Sequence, residues 1–476
     1  MFNLEIFQNK YFFNLLKMQN KHYLKYYLKI IIIFTLSICI FSSQVDAKKK
    51  KRRSSRVRSV KISIKKIEIL DSLQLTDGIK YKNIHLGNGK SFFNVYMIEI
   101  DLTKNASKLF VHKMGNQFNT LEGLPQFAER YNSIYSDSLL AAVNANFWKA
   151  YSNSPIGPCI VDGKIVENVQ YKNWSSTLFD INGIPFINNY DIEGSITSKG
   201  FKYKIDYLNR RRDSSGISFY NSFAGDTIPY VLQKRVDVAL DSAYKEWEKD
   251  LQSMEDDSTE QDFDSLAFIN YYKASLRGSL IEQGMYKVLV RYLSKPYINK
   301  PVQAVVEKYT SNFLELPNDY GILSFGTDIP LVFVPDKGDT LSISFKTNLD
   351  TNIIFKNGIS GTPRLVRDGK SVSEAQSEGN SGRRFIHSQL PRTILGYNKD
   401  KTKFYLLTIA GTNSAKRQYG ASLKDLSNIA LNLNLYDAMN LDGGGSSAFL
   451  LYGKNLLRDY SPFSSRKLSV IIGVKK

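Results

Sequence analysis

Asn440-Leu441-Asp442-Gly443-Gly444-Gly445-Ser446-Ser447 is the stretch where an apolar run meets one carboxylate, three consecutive glycines and two hydroxyls. A glycine triplet is entropically costly to order, and its physical use is close approach. Either a ligand or another backbone can come near, and exposed N–H groups can form an anion-receiving nest. An acid beside such a nest suits an oxyanion or a sugar oxygen; a tight glycine turn between two strands would place the same residues there. Upstream, Leu423, Leu426, Ile429, Ala430 and Leu433 fall at 3.6 spacing, which predicts a helix over 422–433. Ser422 and Asp425 have the spacing of a capping box. That helix feeds a buried strand over 437–441. The glycines then sit at the strand's C-terminal end, where ligands bind in mixed α/β sheets.

Strand patterns recur along the rest of the chain, over 60–70, 92–101, 138–146, 285–293, 302–306 and 341–345. A short helix fits 124–132, with Pro125 in its first turn. Asp162-Gly163 and Asn182-Gly183 mark tight turns. Residues 157–164 and 361–370 read as two separate hairpins with similar Asp-Gly turns. Residues 236–283 differ: Asp250, Glu255, Asp256, Asp257, Glu260, Asp262 and Asp264 make them acidic, in a helical pattern. The expected fold class is α+β, a mixed, strand-rich sheet domain with packed helices and an inserted helical excursion at 236–283.

The 476 residues are 42% hydrophobic and 13% aromatic, enough for a sizeable core. The net charge of +19 is concentrated at one end, since the first 66 residues hold 16 Lys and Arg against Glu5 and Asp46. The body is only mildly basic and shows no long basic-aromatic groove, so no nucleic-acid partner is expected. Lys21, Lys25 and Lys29 precede an apolar run over 30–41, and Val45-Asp46-Ala47 offers a cleavage site. This is the layout of a secretory signal peptide over 1–47, which implies a secreted or periplasmic protein. An uncleaved membrane anchor is the alternative. Residues 48–59 then form a basic tail suited to weak electrostatic contact with an anionic envelope, and 60–476 form the folded domain. Of the two cysteines, Cys39 lies in the signal, which leaves Cys159 without an intrachain partner.

Several chemistries drop out. Gly89-Lys90-Ser91 lacks the upstream glycine of a P-loop, because position 84 is Ile84. Gly445-Ser446-Ser447 lacks the closing glycine of a nucleophile elbow. His85, His112 and His387 show no metal-ligand spacing, so neither a metal nor a cofactor is expected. Two further segments do carry chemistry. In Pro391-Arg392-Thr393-Ile394-Leu395-Gly396 the arginine presents a donor fork that matches a phosphate or carboxylate. In Asn144-Ala145-Asn146-Phe147-Trp148, alternation predicts both amides on one face with Phe147 opposite.

Taken in order, Asn144 to Trp148, Gly157 to Gly163, Gly358 to Gly369, Pro391 to Gly396 and Asn440 to Ser447 resemble the phosphodiester glycosidases. The resemblance runs from about residue 90 to 476. It departs from the pattern at Arg383 to Leu390, where the histidine before Pro-Arg-Thr is displaced, and at Gly361-Thr362-Pro363. It implies hydrolysis of the sugar C1–O bond of a sugar-1-phosphodiester of the N-acetylglucosamine-1-phosphate type, releasing sugar and a phosphomonoester. The substrate would be a sugar phosphodiester or a phosphorylated polysaccharide. Asp442 and Arg392 are then the catalytic residues. Asn144, Asn146, Phe147, Thr393, Gly443, Gly444, Gly445, Ser446 and Ser447 are the substrate-binding ones. Glu374, Glu378 and Asp162 are candidates for a second carboxylate. The alternative is a non-catalytic envelope protein that binds polysaccharide through the same pocket.

Overall fold

A computed structural model describes residues 61–476 except 136–137, 151, 211, 213–214, 225–285, 310–315 and 458–465. The expected signal peptide, basic tail and helical excursion at 236–283 lie outside the described residues. Sheets dominate what is described. The central sheet has eight strands in the order Lys66–Thr76, Ile79–Gly87, Phe92–Asp101, Lys403–Ile409, Arg392–Tyr397, Asp437–Asn440, Arg364–Arg367 and Lys370–Ser371. Every neighbouring pair in it is antiparallel.

Both faces of this sheet are buried, and strict alternation is the cause. On Lys403–Ile409, Phe404 and Leu406 point into one core with Val143, Ile472 and Val474. Tyr405, Leu407 and Ile409 point into the other, with Leu423, Leu426, Ile429 and Ala430. The first core is closed by a five-stranded sheet of Lys454–Asn455, Phe449–Leu451, Leu139–Asn144, Val470–Lys475 and Leu109–Lys113. The second is closed by the helix Leu423–Asn432, capped as expected by a reciprocal Ser422–Asp425 box. Burying each of its large apolar side chains stabilises the fold by about 1.5–3 kcal/mol. A further five-stranded sheet and an eight-stranded distal sheet share another core around Val288, Ile192, Phe325 and Phe355.

Most expected elements are present with shifted ends. The helix runs Leu124–Ile134 with proline in its first turn, and the strand over 92–101 is Phe92–Asp101. The two Asp-Gly hairpins share backbone geometry, with positive φ at Asp162, Gly163, Asp368 and Gly369, but belong to different sheets. The expected strand over 60–70 begins later, at Lys66. It is the border strand of the central sheet, and all of its first nine residues are exposed. Its hydrogen bonds, not burial, place it, and the described residues 61–65 that precede it are in no strand. The rule for ligands at strand ends in parallel sheets does not apply either, because this sheet is antiparallel throughout.

His112 offers a test of the packing. Its Nε2 lies 3.2 Å from Arg130 Nη2 and accepts that bond as a neutral ring. Burial, and then the Arg130 charge, hold its pKa down at about 4. The unfolded chain therefore takes up a proton between pH 6.5 and about 4 that the folded chain refuses, and stability falls as pH falls through that window. The loss is worth roughly 2–3 kcal/mol. Urea titrations at pH 7 and pH 4.5 should show a drop roughly 2 kcal/mol smaller for His112→Gln than for the wild type. Equal drops would show that His112 is not the group responsible.

Candidate active site

The strands Arg392–Tyr397 and Asp437–Asn440 pair in the register Ile394 to Asn440, and Leu441 N–H extends the ladder by donating to Thr393 O at 2.8 Å. This lays the glycine triplet against Pro391-Arg392. Gly444 N–H donates to Pro391 O at 2.8 Å. A Cβ at Gly443 would stand 3.3 Å from Pro391 O and 3.4 Å from Arg392 Cδ. The backbone that comes close is thus the chain's own. The remaining donors turn inward: Gly443 N–H to Asp442 Oδ1 (2.8 Å), Ser446 N–H to Gly443 O (3.1 Å) and Ser447 N–H to Gly444 O (3.2 Å). This corrects the expectation of an open anion nest, since Gly443, Gly444, Ser446 and Ser447 have no spare N–H.

Asn144 ends the strand Leu139–Asn144 and is buried. Its Nδ2 donates to Asp442 O at 2.7 Å. Its Oδ1 accepts Thr393 Oγ1 at 2.6 Å and Ala448 N–H at 3.0 Å. Asp442 N–H donates to Ala145 O at 3.0 Å. The amide expected to hold a sugar hydroxyl therefore holds the main chain of the catalytic candidate instead, together with the Thr393 hydroxyl. Asn146 does not share its partners, because the strand stops at Asn144. Its Nδ2 reaches Ile156 O (3.2 Å) and Pro158 O (3.4 Å), while its buried Oδ1 has no partner.

Arg392 is buried and its fork is largely committed. Nε donates to Ala421 O at 3.3 Å, and Nη2 donates to Phe385 O at 2.6 Å and Ser388 O at 3.5 Å. The guanidinium also lies 5.3 Å over the Phe385 ring. Nη1 is left on the Gly443 side, so the two-pronged phosphate fork read from the sequence becomes a single nitrogen with a fixed charge. Burial pushes the Arg392 pKa down to about 10, opposed by the Asp442 carboxylate, and the group remains charged at neutral pH.

A chain of aromatic rings leads away from Phe385, the ring beneath Arg392. Phe147 meets Phe385 at 6.3 Å and Trp174 at 5.2 Å, both edge to face, and Tyr171 meets Trp174 at 5.0 Å. Phe385 and Trp174 were not singled out by sequence reasoning; that Trp174 is one of only three tryptophans was a usable signal. Trp174 Nε1, Ser447 Oγ and Asn440 Oδ1 join Asn146 Oδ1 as buried polar atoms without a partner among the described residues. Each would gain from a ligand hydroxyl or amide, because an unmet buried group costs about 1–3 kcal/mol.

The three further carboxylates are occupied. Glu374 forms a two-pronged pair with Arg367 at 2.8 and 2.9 Å. Asp162 pairs with Lys295 at 2.6 Å and Lys356 at 3.4 Å. Glu378 is buried and accepts Ser175 Oγ at 2.7 Å and Arg364 N–H at 2.8 Å. Burial raises its pKa above the ordinary carboxylate range.

Asn144→Ala should strand Thr393 Oγ1, Ala448 N–H and Asp442 O together, costing about 2–4 kcal/mol of stability. Asn146→Ala, which gives up only the two longer bonds from Nδ2 together with an Oδ1 that has no partner among the described residues, should cost less than half as much. Denaturant unfolding of both variants checks the contrast, and equal losses would deny Asn144 its special place.

Residues 318–475 match the family model for phosphodiester glycosidases. Over 113 residues the chain is 33% identical to N-acetylglucosamine-1-phosphodiester alpha-N-acetylglucosaminidase of Bos taurus and 29% identical to that of Homo sapiens. Each match covers 22% of this chain and 21% of the relative, so the chain spans about a fifth of the length of the curated relatives it matches. The crystal structure of a hypothetical protein from Synechocystis is similar in fold, with a TM-score of 0.54 and 18% identity, over 86% of this chain and 64% of that one. The resemblance read from the sequence is therefore shown for the segment that holds Arg392, Asp442 and the glycine triplet, which is the segment that matches the phosphodiester glycosidase family model.

Proposed function

We propose that this protein hydrolyses the C1–O bond of a sugar-1-phosphodiester, releasing the sugar and a phosphomonoester. The observation that carries the reading is Asp442, a buried carboxylate whose main chain is held by Asn144 and Ala145 and whose charge acts on Arg392. Asp442 serves the anomeric carbon, as base or nucleophile. Arg392 supplies positive charge on the phosphate side through Nη1, in a dry setting where electrostatic stabilisation is strongest. Ordinary glycosidases need a second carboxyl group to protonate the leaving oxygen. A phosphomonoester departs as a stable anion without that proton, which agrees with Glu374, Glu378 and Asp162 all being occupied. The unpartnered atoms of Asn146, Trp174 and Ser447 would then receive the sugar. N-acetylglucosamine as that sugar, and export through the signal layout at 1–47, are parts of the same proposal. They are supported by the curated relatives' names and by the sequence alone, respectively.

One observation favours the rival reading, a polysaccharide-binding protein without turnover. The N–H groups of Gly443 and Gly444 are turned inward and offer the phosphate no ready-made donors. Incubation with a panel of sugar-1-phosphodiesters, scored for free sugar, separates the two. Binding without release would favour the rival.

Asp442→Asn keeps an acceptor for Gly443 N–H, so the turn and the melting temperature should be preserved while sugar release falls roughly 10²-fold or more. Unchanged turnover would remove Asp442 from the mechanism. Arg392→Lys keeps the charge but cannot serve Ala421, Phe385 and Ser388 together. It should lose about 2 kcal/mol or more of transition-state stabilisation and also destabilise the fold. Wild-type rates in this variant would deny Arg392 a part in the reaction.

A further inference from the structure

We propose that the distal sheet carries a docking surface for an anionic lipid bilayer, built from two adjacent loop tips far in sequence from Asp442. The first tip is the turn Lys199-Gly200 between the strands Ile192–Ser198 and Phe201–Ile205. The second is the loop from Pro330 to Gly338. They are braced together: Lys199 Nζ donates to Val334 O at 3.0 Å and pairs with Asp336 at 2.7 Å. The Tyr203 and Phe333 rings lie 4.2 Å apart, and Tyr309 Oη donates to Pro335 O at 3.1 Å. Phe333 and Val334 are buried in the distal core and anchor the second loop.

The residues at the tips point the other way. Leu331 and Val332 are each 63% exposed and Phe201 is 51% exposed, although the same short loop buries its neighbours Phe333 and Val334. Both turns project into open space, since a Cβ at Gly200 or at Gly338 would meet nothing within 4 Å. Apolar side chains on a convex, rigid tip suit insertion into a soft apolar layer more than a contoured protein pocket.

Charge selects the kind of layer. Lys202, Lys308 and Lys337 are exposed around the tips and form no ion pair among the described residues. The nearby acids are engaged: Asp336 and Asp339 by Lys199, Glu193 by Lys204 and Glu307 by Arg291. Asp328 Oδ1 accepts Gly216 N–H. Lys199 serves two acids, and a backbone N–H leaves Asp328 its charge. The cations Lys199, Lys202, Lys204, Lys308, Lys337 and Arg291 therefore exceed the acids Asp336, Asp339, Glu193, Glu307 and Asp328 by one. This small positive excess at the rim favours an anionic headgroup surface over a neutral one. This surface is independent of the glycosidase reading and would dock the protein without using any residue of the catalytic site.

The test uses the full chain with vesicles of phosphatidylcholine alone or mixed with phosphatidylglycerol. The wild type should co-sediment with the anionic vesicles and bind the neutral ones more weakly. The double variant Leu331→Asp, Val332→Asp should lose about tenfold or more of that binding with an unchanged melting temperature. A Leu331→Cys variant carrying an environment-sensitive fluorophore, with Cys39→Ser, reports insertion directly, since Cys159 is buried and its thiol is pushed up to about 12 by burial. Its emission should shift to the blue on vesicles. Three results would overturn the proposal. These are wild-type binding by the double variant, a label that stays aqueous on bound protein, or a blue shift without vesicles as protein concentration rises, which would make a second copy the occupant.

Discussion

One side-chain amide holds the site together. Asn144 belongs to the sheet that closes the first core, yet its side chain reaches across to Thr393 of the central sheet and to the Asp442 main chain just beyond a central strand, and also accepts Ala448 N–H. The Asn144–Asp442 contact spans 298 positions of sequence. The main chain of Asp442 is therefore placed by the packing of two sheets on each other, and its own turn then orients the carboxylate through Gly443 N–H. The family match begins at residue 318, so the residue that positions its acid comes from outside the matched segment. Asn146, Phe147 and Trp174 come from outside it too.

A sheet with two buried faces makes such placement exact enough for chemistry. Its side chains alternate between two cores, so neither face can shift without disturbing the other. Thr393 and Arg392 are adjacent and point to opposite sides. Thr393 meets Asn144 across the first core, and Arg392 meets Phe385 and Ala421 on the second. The catalytic candidates sit where the two cores meet, in surroundings from which water is largely excluded. In such a medium a fixed guanidinium and a fixed carboxylate act on each other strongly, and each needs the bonds that the fold supplies.

Much of the architecture was legible in the sequence where one physical signal acted alone. The 3.6 spacing and the cap residues marked the helix Leu423–Asn432, and the alternation over 92–101 marked its strand. Asp442, Arg392, Thr393 and Asn144 were singled out, and the fold brings them together. Their bonding was not legible, because it depends on what comes near from distant parts of the chain. Arg392 reads as an open fork until the carbonyls of Phe385, Ser388 and Ala421 arrive. The glycines read as an open nest until Pro391 comes close enough to accept from Gly444. Alternation failed at Asn146 because the strand ended two residues earlier, and no local residue pattern announces that end.

The border strand Lys66–Thr76 has a consequence beyond its own few contacts. Its neighbour Ile79–Gly87 serves both cores, with Ile79 and Tyr81 in one and Ile84 and Leu86 in the other. A strand so placed cannot also be the rim of the sheet, where backbone groups face water or other chains. The border strand takes that position itself and hides almost nothing. Two register shifts, between Ile69 and Asp71 and between Gln74 and Thr76, interrupt its ladder with Ile79–Gly87. Such bulges twist an edge and make it a poor template for a passing strand. It acts as a selvedge: a finished margin that keeps the working cloth from unravelling, and that a chain shortened past Thr76 would have to weave again from residues both cores already use.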